Sequence, residues 1–408
     1  MKCVCFVVQN YYDRDLRVRR KAEALVQAGY VVDVLALRSP NGPKDYELEG
    51  VSVRTLTLGK KRGSLLRYGF EYVAFFSWCL VQLTAEMRSK KYAFIDINTL
   101  PDFLVFASIL ARHMGAKIIL DMHEITPEFY MSKYGMKSTS WGVRALKCQE
   151  KISFDFADYV ITINEPIRNL LISRGLPQGK CTVITNSANN ERFTSTSKSC
   201  IAADQSRSAA TFVMMYHGTL TKLYGLDIAI EAFGIAHKEM MGAELWILGE
   251  GSESSSIKQL AEQRGLSSRV KLFGHIPPAE IPAWLAKCDV GILPIRRDVF
   301  LEFASPNKLP ELILMGKAVL MSRLAAIQHY FSENALAYFE PNDPQDLARQ
   351  MVRLYRDSGL RAKLAAKAKE EYAPICWDVM KRRYLNLIEN IVDGHSTERS
   401  LVTEAGAF

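Results

Sequence analysis

Residues 301–320 read LEFASPNKLPELILMGKAVL. Pro310 has no N–H to donate, so it fits only the first turn of a helix, where that donor would be unpaired anyway. Asn307 is then the N-cap, Lys308, Leu309 and Pro310 open the helix, and Gly316 ends it before the apolar run at 318–321. The N–H groups of Lys308 and Leu309, together with the helix dipole, favour a phosphate at this end. Glu311 follows one residue later, placed to accept hydrogen bonds from a ribose or sugar hydroxyl. An ordinary strand–loop–helix with a solvated Glu and Lys is the plain alternative, and this segment alone leaves both readings open.

Two further glycine-rich turns follow apolar runs, HGTLTKLYG at 217–225 and ILGEGSE at 247–253. Around them the chain alternates strand and helix twice over. In the first half, strands are expected at 2–8, 31–37, 93–97, 117–121, 159–163 and 182–185, with helices such as 15–28 and 101–114. In the second half, strands are expected at 212–216, 244–248, 270–273, 289–293, 318–321 and 336–339. Such alternation predicts an α/β protein of two Rossmann-like, doubly wound parallel-sheet domains facing across a cleft. Ligands of such sheets sit beyond the carboxyl ends of the strands, where all three turns lie. The polar stretch 194–211 reads as a linker. The expected division is 1–193, linker 194–211, 212–375, a C-terminal helix 376–393 crossing back to the first domain, and a tail 394–408.

Composition narrows the function. A chain of 408 residues, with 48% apolar and 24% charged residues, suits two folded domains. The formal charge of +8 suits an anionic ligand or an anionic membrane face. No long basic run is interleaved with aromatics, so no nucleic-acid partner is expected. The eight cysteines form no CxxC pair, which argues against a zinc knuckle or a redox motif and fits a reducing cytosol. The N-terminal MKCVCFVVQN is too short an apolar run for a signal peptide and reads as a buried strand.

The chain resembles the retaining glycosyltransferases of the GT-B fold, family four (glycosyl transferases group 1). Matching stretches run in order along nearly the whole sequence: DRDLRVRRKAEALVQAGYVV at 13–32, LDMHEITPEFY at 120–130, ADYVITINEPI at 157–167, VITNSANNERF at 183–193, YHGTLTKLYGLDIAIEAF at 216–233, LWILGEGSE at 245–253, VKLFGHIP at 270–277, CDVGILP at 288–294 and SPNKLPELILMGKAVL at 305–320. The resemblance implies a nucleotide-diphosphate sugar on the C-terminal domain and a saccharide acceptor on the N-terminal one. Glu311 matches the ribose-binding glutamate, and Ser305, Pro306, Asn307, Lys308 and Leu309 would lie along the donor phosphates. Gly218, Thr219 and Lys222 would line the first donor turn, with Gly249, Gly251 and His275 near the base. His123 matches a histidine that contacts the transferring sugar; alternatively it is a loop histidine capping the next helix. Glu124, Glu128 and Asn186 are candidate acceptor contacts. Arg14 and Arg17, on a basic helix that also carries Arg19 and Arg20, would hold an acceptor phosphate or form a solvated face. His217 reads as structural.

Two positions depart from the family. Phe303 stands where a first glutamate is usual, with Glu302 one residue off, and Thr219 and Tyr224 stand where an Arg and a Lys usually grip the diphosphate. Lys222, Lys308, Arg296 or Arg297 would have to substitute. The expected chemistry needs no metal or cofactor, since no acid pair of the DxD kind ends a strand. The leaving diphosphate would be stabilised by helix N-termini at 218–225 and 307–311 with a nearby lysine, and would itself take the acceptor's proton. The rivals are a non-catalytic GT-B subunit binding a partner transferase, a nucleotide-sugar epimerase, and, with only QNYYDRD at 9–15 in place of GxGxxG, a dehydrogenase.

Residues 70–85 form an apolar stretch between basic residues Lys60, Lys61, Arg62, Arg67, Arg88, Lys90 and Lys91. It is short for a spanning helix, which needs about 20 residues. It reads as a buried helix or as an interfacial one meeting anionic lipid, which would bring a lipid-linked acceptor of surface polysaccharide assembly to a cytoplasmic enzyme on the inner membrane face.

Overall fold

The computed structural model describes residues 1–58, 65–188, 193 and 211–393. The linker reading, apart from Thr211, the tail 394–408, and Lys60, Lys61 and Arg62 lie outside the described residues. The chain divides into two compact units, Met1–Ile184 with Met380–Phe408, and Thr185–Val379. The division falls before the Phe193 limit read from the sequence. Thr185 Oγ1 donates to the Ile375 carbonyl, and the Ala188 amide donates to Tyr372 Oη, which ties this stretch to the second unit.

The first unit holds a sheet in the order β3-β4-β2-β1-β5-β6-β7-β8. Its strands are β1 Cys3–Tyr11, β2 Val31–Leu37, β3 Asp45–Leu48, β4 Val51–Leu56, β5 Phe94–Asn98, β6 Lys117–Met122, β7 Tyr159–Thr162 and β8 Cys181–Val183. All neighbours pair in parallel except β3 with β4. That edge hairpin was not expected from the sequence, because the DYEL strand is polar. Its signal is the two-residue turn Glu49–Gly50, both at positive φ, as a type I′ hairpin requires. The stretch 101–114, expected as one helix, is a 3₁₀ segment Asp102–Ser108 followed by a short α-helix Ile109–His113. The helix Trp377–Asp393 belongs to this unit from Met380 on, burying Met380, Tyr384, Leu387 and Ile388.

The second unit holds a parallel sheet in the order β11-β10-β9-β12-β13-β14. Its strands are β9 Phe212–His217, β10 Ala243–Leu248, β11 Val270–Leu272, β12 Val290–Leu293, β13 Ala318–Ser322 and β14 Ala337–Phe339. The Lys308–Leu314 helix packs on β12 so closely that a Cβ at Gly291 would stand 2.4 Å from Leu312 Cδ1.

In each sheet the strand order reverses at one place, between β1 and β5 and between β9 and β12. A crevice opens beyond the carboxyl ends of the strands at such a point.

Two buried charge clusters brace the first unit. In one, Lys21 from the Leu16–Gln27 helix is 2% exposed and reaches Asp96 at 2.9 Å, Asn98 at 3.3 Å and Asp121. Polar residues in otherwise apolar central strands need such a partner. In the other, Arg174 grips Glu150 at 2.9 Å and Glu128, while Thr126 donates to the buried Asp102 at 2.9 Å. Arg174 thus serves two carboxylates, while Asp102 has only the Thr126 hydroxyl as its partner. Burial, with Glu150 nearby, raises the Asp102 carboxyl to about 7. Its folded pKa thus lies above the unfolded value, so stability is full below about 4 and declines as pH rises through about 7. Asp102→Asn removes that titration. The variant should gain on wild type by on the order of 1–3 kcal/mol between pH 5 and pH 8, read as a Tm difference that widens with pH. A pH-independent difference would contradict it.

Candidate active site

At the switch point of the second unit, the turn after β9 forms one rim with the turns after β10 and β11. The Gly218 amide donates to the Leu248 carbonyl, the Gly249 amide to Gly274 at 2.7 Å, and the Leu220 amide to Glu250. Gly249 sits at φ +133°, and a Cβ there would stand 1.9 Å from the Gly218 oxygen. Packing of this rim therefore already requires a glycine at 249. His275 presents its backbone to the rim, its amide donating to Glu250 Oε1 at 3.3 Å.

Lys308 occupies the crevice. Its ammonium lies 4.0 Å from the centre of the Tyr224 ring and 5.4 Å from that of Tyr216. Its stem fills the space a side chain at Gly218 would take, with Cε 2.1 Å from where a Cβ would be. Cation–π contact holds the charge in place, and burial lowers its pKa to about 8 against the pull of Glu311. Glu311, one helical turn on, is fixed by His217, whose Nε2 stands 2.6 Å from Glu311 Oε2. The sequence reading named Lys308 and Glu311 as candidates but gave His217 no site role; its place at the last residue of β9 was the signal. Tyr224, standing where a lysine is usual, serves as the platform for the lysine that came from elsewhere.

The other donor candidates divide. The Tyr216 hydroxyl fixes the Thr219 carbonyl at 2.8 Å. Lys222 is exposed and lines a separate hollow of about 290 Å³ with Leu226, Glu253 and Gln263, away from Lys308's partners. Arg296 is bound to Asp227 and Asn342, and Arg297 to Glu302 and the Arg323 carbonyl, so neither is a ready substitute cation. Glu302 also accepts from the Ala325 amide at 2.9 Å and so braces the Leu301–Phe303 turn. Asn307 is the N-cap by position, yet its backbone is helical and its side chain makes no cap hydrogen bond. The Leu309 amide donates to the Pro306 carbonyl at 3.1 Å, so it is not the free donor expected. The helix expected to begin within 218–225 begins at Leu226, after a 3₁₀ turn Lys222–Tyr224. Asn186, expected among acceptor contacts, lies in the second unit and donates to the Ser305 carbonyl at 3.4 Å.

At the switch point of the first unit lies a cavity of about 330 Å³. Gln9, Asn10, Thr99 and Leu100 at the ends of β1 and β5 line it, with His123, Glu124 and Lys133; Phe129, Tyr130 and Tyr134 of the Thr126–Tyr134 helix, with Tyr72, add aromatic rings. These rings were missed individually, although they follow directly on the motif containing His123. Glu128 is not an acceptor contact here: it is buried and paired with Arg174. Arg17 is 13% exposed and bonded to His123 Nδ1, with Asp121 at 3.6 Å, so it does not offer itself to an acceptor phosphate. Arg14 is exposed and is not among the residues lining the cavity. Among the described residues, no group of three or more His, Cys, Asp or Glu side chains is placed to hold a metal ion.

Comparison with known proteins bears on the family and the fold. Residues 211–357 match the model of the "Glycosyl transferases group 1" family, and residues 16–187 that of the "Glycosyl transferase 4-like domain". The chain is 24% identical over 274 residues to the probable glycosyltransferase WbjE of Pseudomonas aeruginosa, covering 66% of this chain and 67% of that one. It is 31% identical over 157 residues to the amylovoran biosynthesis glycosyltransferase AmsK of Erwinia amylovora, covering 37% and 38%. Among solved structures, a sucrose-phosphate synthase from Thermosynechococcus elongatus superimposes with a TM-score of 0.79 at 18% identity, over 97% of this chain and 100% of the other. The Anabaena protein HepE in complex with UDP and glucose does so with a TM-score of 0.70 at 16% identity, over 96% and 100%. With a group 1 domain in the second unit and a 4-like domain spanning most of the first, the chain belongs to the group 1 glycosyltransferases of the GT-B fold.

Proposed function

We propose that the protein transfers a sugar from a uridine diphosphate sugar to a saccharide acceptor, with retention of configuration and without a metal, in the synthesis of a surface polysaccharide. The observation that carries this is the Lys308 ammonium, held over Tyr224 in the crevice beside the His217–Glu311 pair. A diphosphate meeting that ammonium gains a charged hydrogen bond where water is scarce, which favours its departure as a leaving group. Glu311 accepts the ribose hydroxyls. The UDP bound by HepE supports uridine as the base, and the names of AmsK and of the lipopolysaccharide core glycosyltransferase LpsE of Rhizobium meliloti support the polysaccharide setting. The departing phosphate takes the acceptor's proton, and the aromatic cavity of the first unit seats the acceptor's sugar rings.

Thermal shift against uridine, guanosine and adenosine diphosphates tests the donor. Binding to the native state raises Tm by mass action. UDP is expected to raise it, and Glu311→Gln to weaken UDP about tenfold to a hundredfold by replacing a charged acceptor. No shift with any nucleotide would favour the non-catalytic subunit, a reading to which Phe303 and the engagement of Glu302 lend support.

The acceptor is proposed to be lipid-linked, reached from an anionic membrane face. The Leu65–Lys90 helix buries Glu71, Phe75, Cys79, Leu83 and Met87 on one side and leaves Phe70, Val73 and Val81 exposed, at 58%, 61% and 62%. Arg88 and Lys91 are exposed nearby, whereas Lys90 is tied to Asp33 and Arg67 to Glu71. Among the described residues no helix is long and apolar enough to cross a membrane. Co-sedimentation with phosphatidylglycerol vesicles should exceed that with phosphatidylcholine and fall in Val73→Ser/Val81→Ser; equal recovery on both lipids would count against it.

A further inference from the structure

We propose that Arg17 is a positioning residue that fixes His123 as the neutral Nε2–H tautomer, making His123 a hydrogen-bond donor to substrate and not a base. The proposal deepens the transferase reading and rests on it for the word substrate. His123 is one-fifth exposed at the cavity of the first unit, and its Nδ1 bonds the Arg17 guanidinium. A guanidinium carries five donors and no acceptor. Nδ1 must therefore present its lone pair, which leaves the ring proton on Nε2.

The competing arrangement is an Asp–His pair. Asp121 Oδ1 stands 4.0 Å from the same Nδ1. If the carboxylate were the partner, Nδ1 would carry the proton, and Nε2 would be free to take one from an acceptor hydroxyl, as in hydrolases that use an Asp-oriented histidine. The structure places Arg17 so as to prevent this. Its Nη2 bonds the ring, while its Nη1 lies 3.6 Å from Asp121 Oδ1. Asp121 is held in turn by Lys21, and Lys21 by Asp96. The result is a buried row of alternating charge, Asp96, Lys21, Asp121, Arg17, ending on the imidazole, with each carboxylate occupied by a cation before it can reach the ring. His123 then has no acceptor to offer on its substrate side, and the acceptor's proton must leave by another route, as it does when the departing phosphate receives it.

The test is long-range ¹H–¹⁵N spectroscopy of the full chain labelled with ¹⁵N-histidine, with the His123 signals assigned by their loss in His123→Gln. At pH 8 the wild type should show Nδ1 at a pyridine-type shift and Nε2 at a pyrrole-type shift. Arg17→Met should move them toward the Nδ1–H form, and Arg17→Lys, which keeps a donor, should restore the wild-type pattern. Nδ1–H in the wild type, or an unchanged tautomer in Arg17→Met, overturns the proposal; should Arg17→Met fail to fold, the wild-type spectrum decides alone. In turnover, His123→Gln keeps an N–H donor and should stay within about tenfold of wild type, while His123→Leu falls about a hundredfold. Equal losses of about 10²–10⁴ in both, the range for general-base catalysis, would also overturn it. A wild type that transfers no sugar would sink the transferase reading and leave the tautomer result standing.

Discussion

Lys308→Met should reduce turnover about 10²- to 10³-fold, the scale for losing one group that stabilises charge on a leaving group, while the fold stays intact. The fold should survive because the ammonium's neighbours are the faces of Tyr216 and Tyr224, and a thioether packs well on such rings. Isothermal titration with UDP separates the two effects: affinity should drop with kcat, and Tm without ligand should barely change. The wild type should show the same dependence in its pH profile. With Lys308 at about 8 in the free protein, UDP affinity should weaken as pH rises from 7 to 9, and that slope should vanish in the variant. An unchanged UDP affinity in Lys308→Met would mean that another cation grips the diphosphate.

The largest loss of stability is expected at Lys21. Lys21→Met removes the cation shared by Asp96 and Asp121, both at most 2% exposed, and should cost about 3–5 kcal/mol in urea unfolding, as expected when a buried pair loses one partner. Burial already raises the Asp96 carboxyl to about 6 with Lys21 present. Without Lys21, uptake of a proton is the chain's main relief, so the deficit should shrink as pH falls from 8 to 5. Adding Asp96→Asn should recover part of the loss. A double variant no more stable than the single one would show that the cost is packing, for instance against the Phe6 and Tyr384 rings that lie 5.4 and 5.8 Å from the ammonium, and not unpaired charge.

Much of the fold was legible because apolar runs and glycine stops are local signals. The central strands and their order of appearance follow from runs such as CFVV and FVMMY, since a strand covered on both faces has to be apolar throughout. The β3–β4 hairpin escaped because an edge strand with one wet face looks like a loop. The 3₁₀ segment at Asp102–Ser108 escaped because its residues keep helical spacing. In the candidate site, the helix start that carries Lys308 and Glu311 was legible from Pro310, which can occupy only a first turn. The free Leu309 amide expected there is instead bonded, since whether Pro306 takes that hydrogen bond depends on a loop conformation that no residue type dictates. Partnerships between a strand end and a helix, His217 with Glu311 and His123 with Arg17, join residues far apart in sequence and become visible only once the fold is known. Glu128 and Arg17 were misassigned for one reason. A charged residue near a motif reads as available, and only burial against a counter-charge shows that it is already engaged.

A crystal structure of the chain soaked with UDP puts the donor site to its most direct test. The expected result is the diphosphate against Lys308 Nζ at the Gly218 turn, with the ribose hydroxyls on Glu311 and the base along Gly249–Gly251 and His275. UDP bound with its phosphates on Lys222 or Arg296, and Lys308 still lying only on its tyrosine rings, would contradict it.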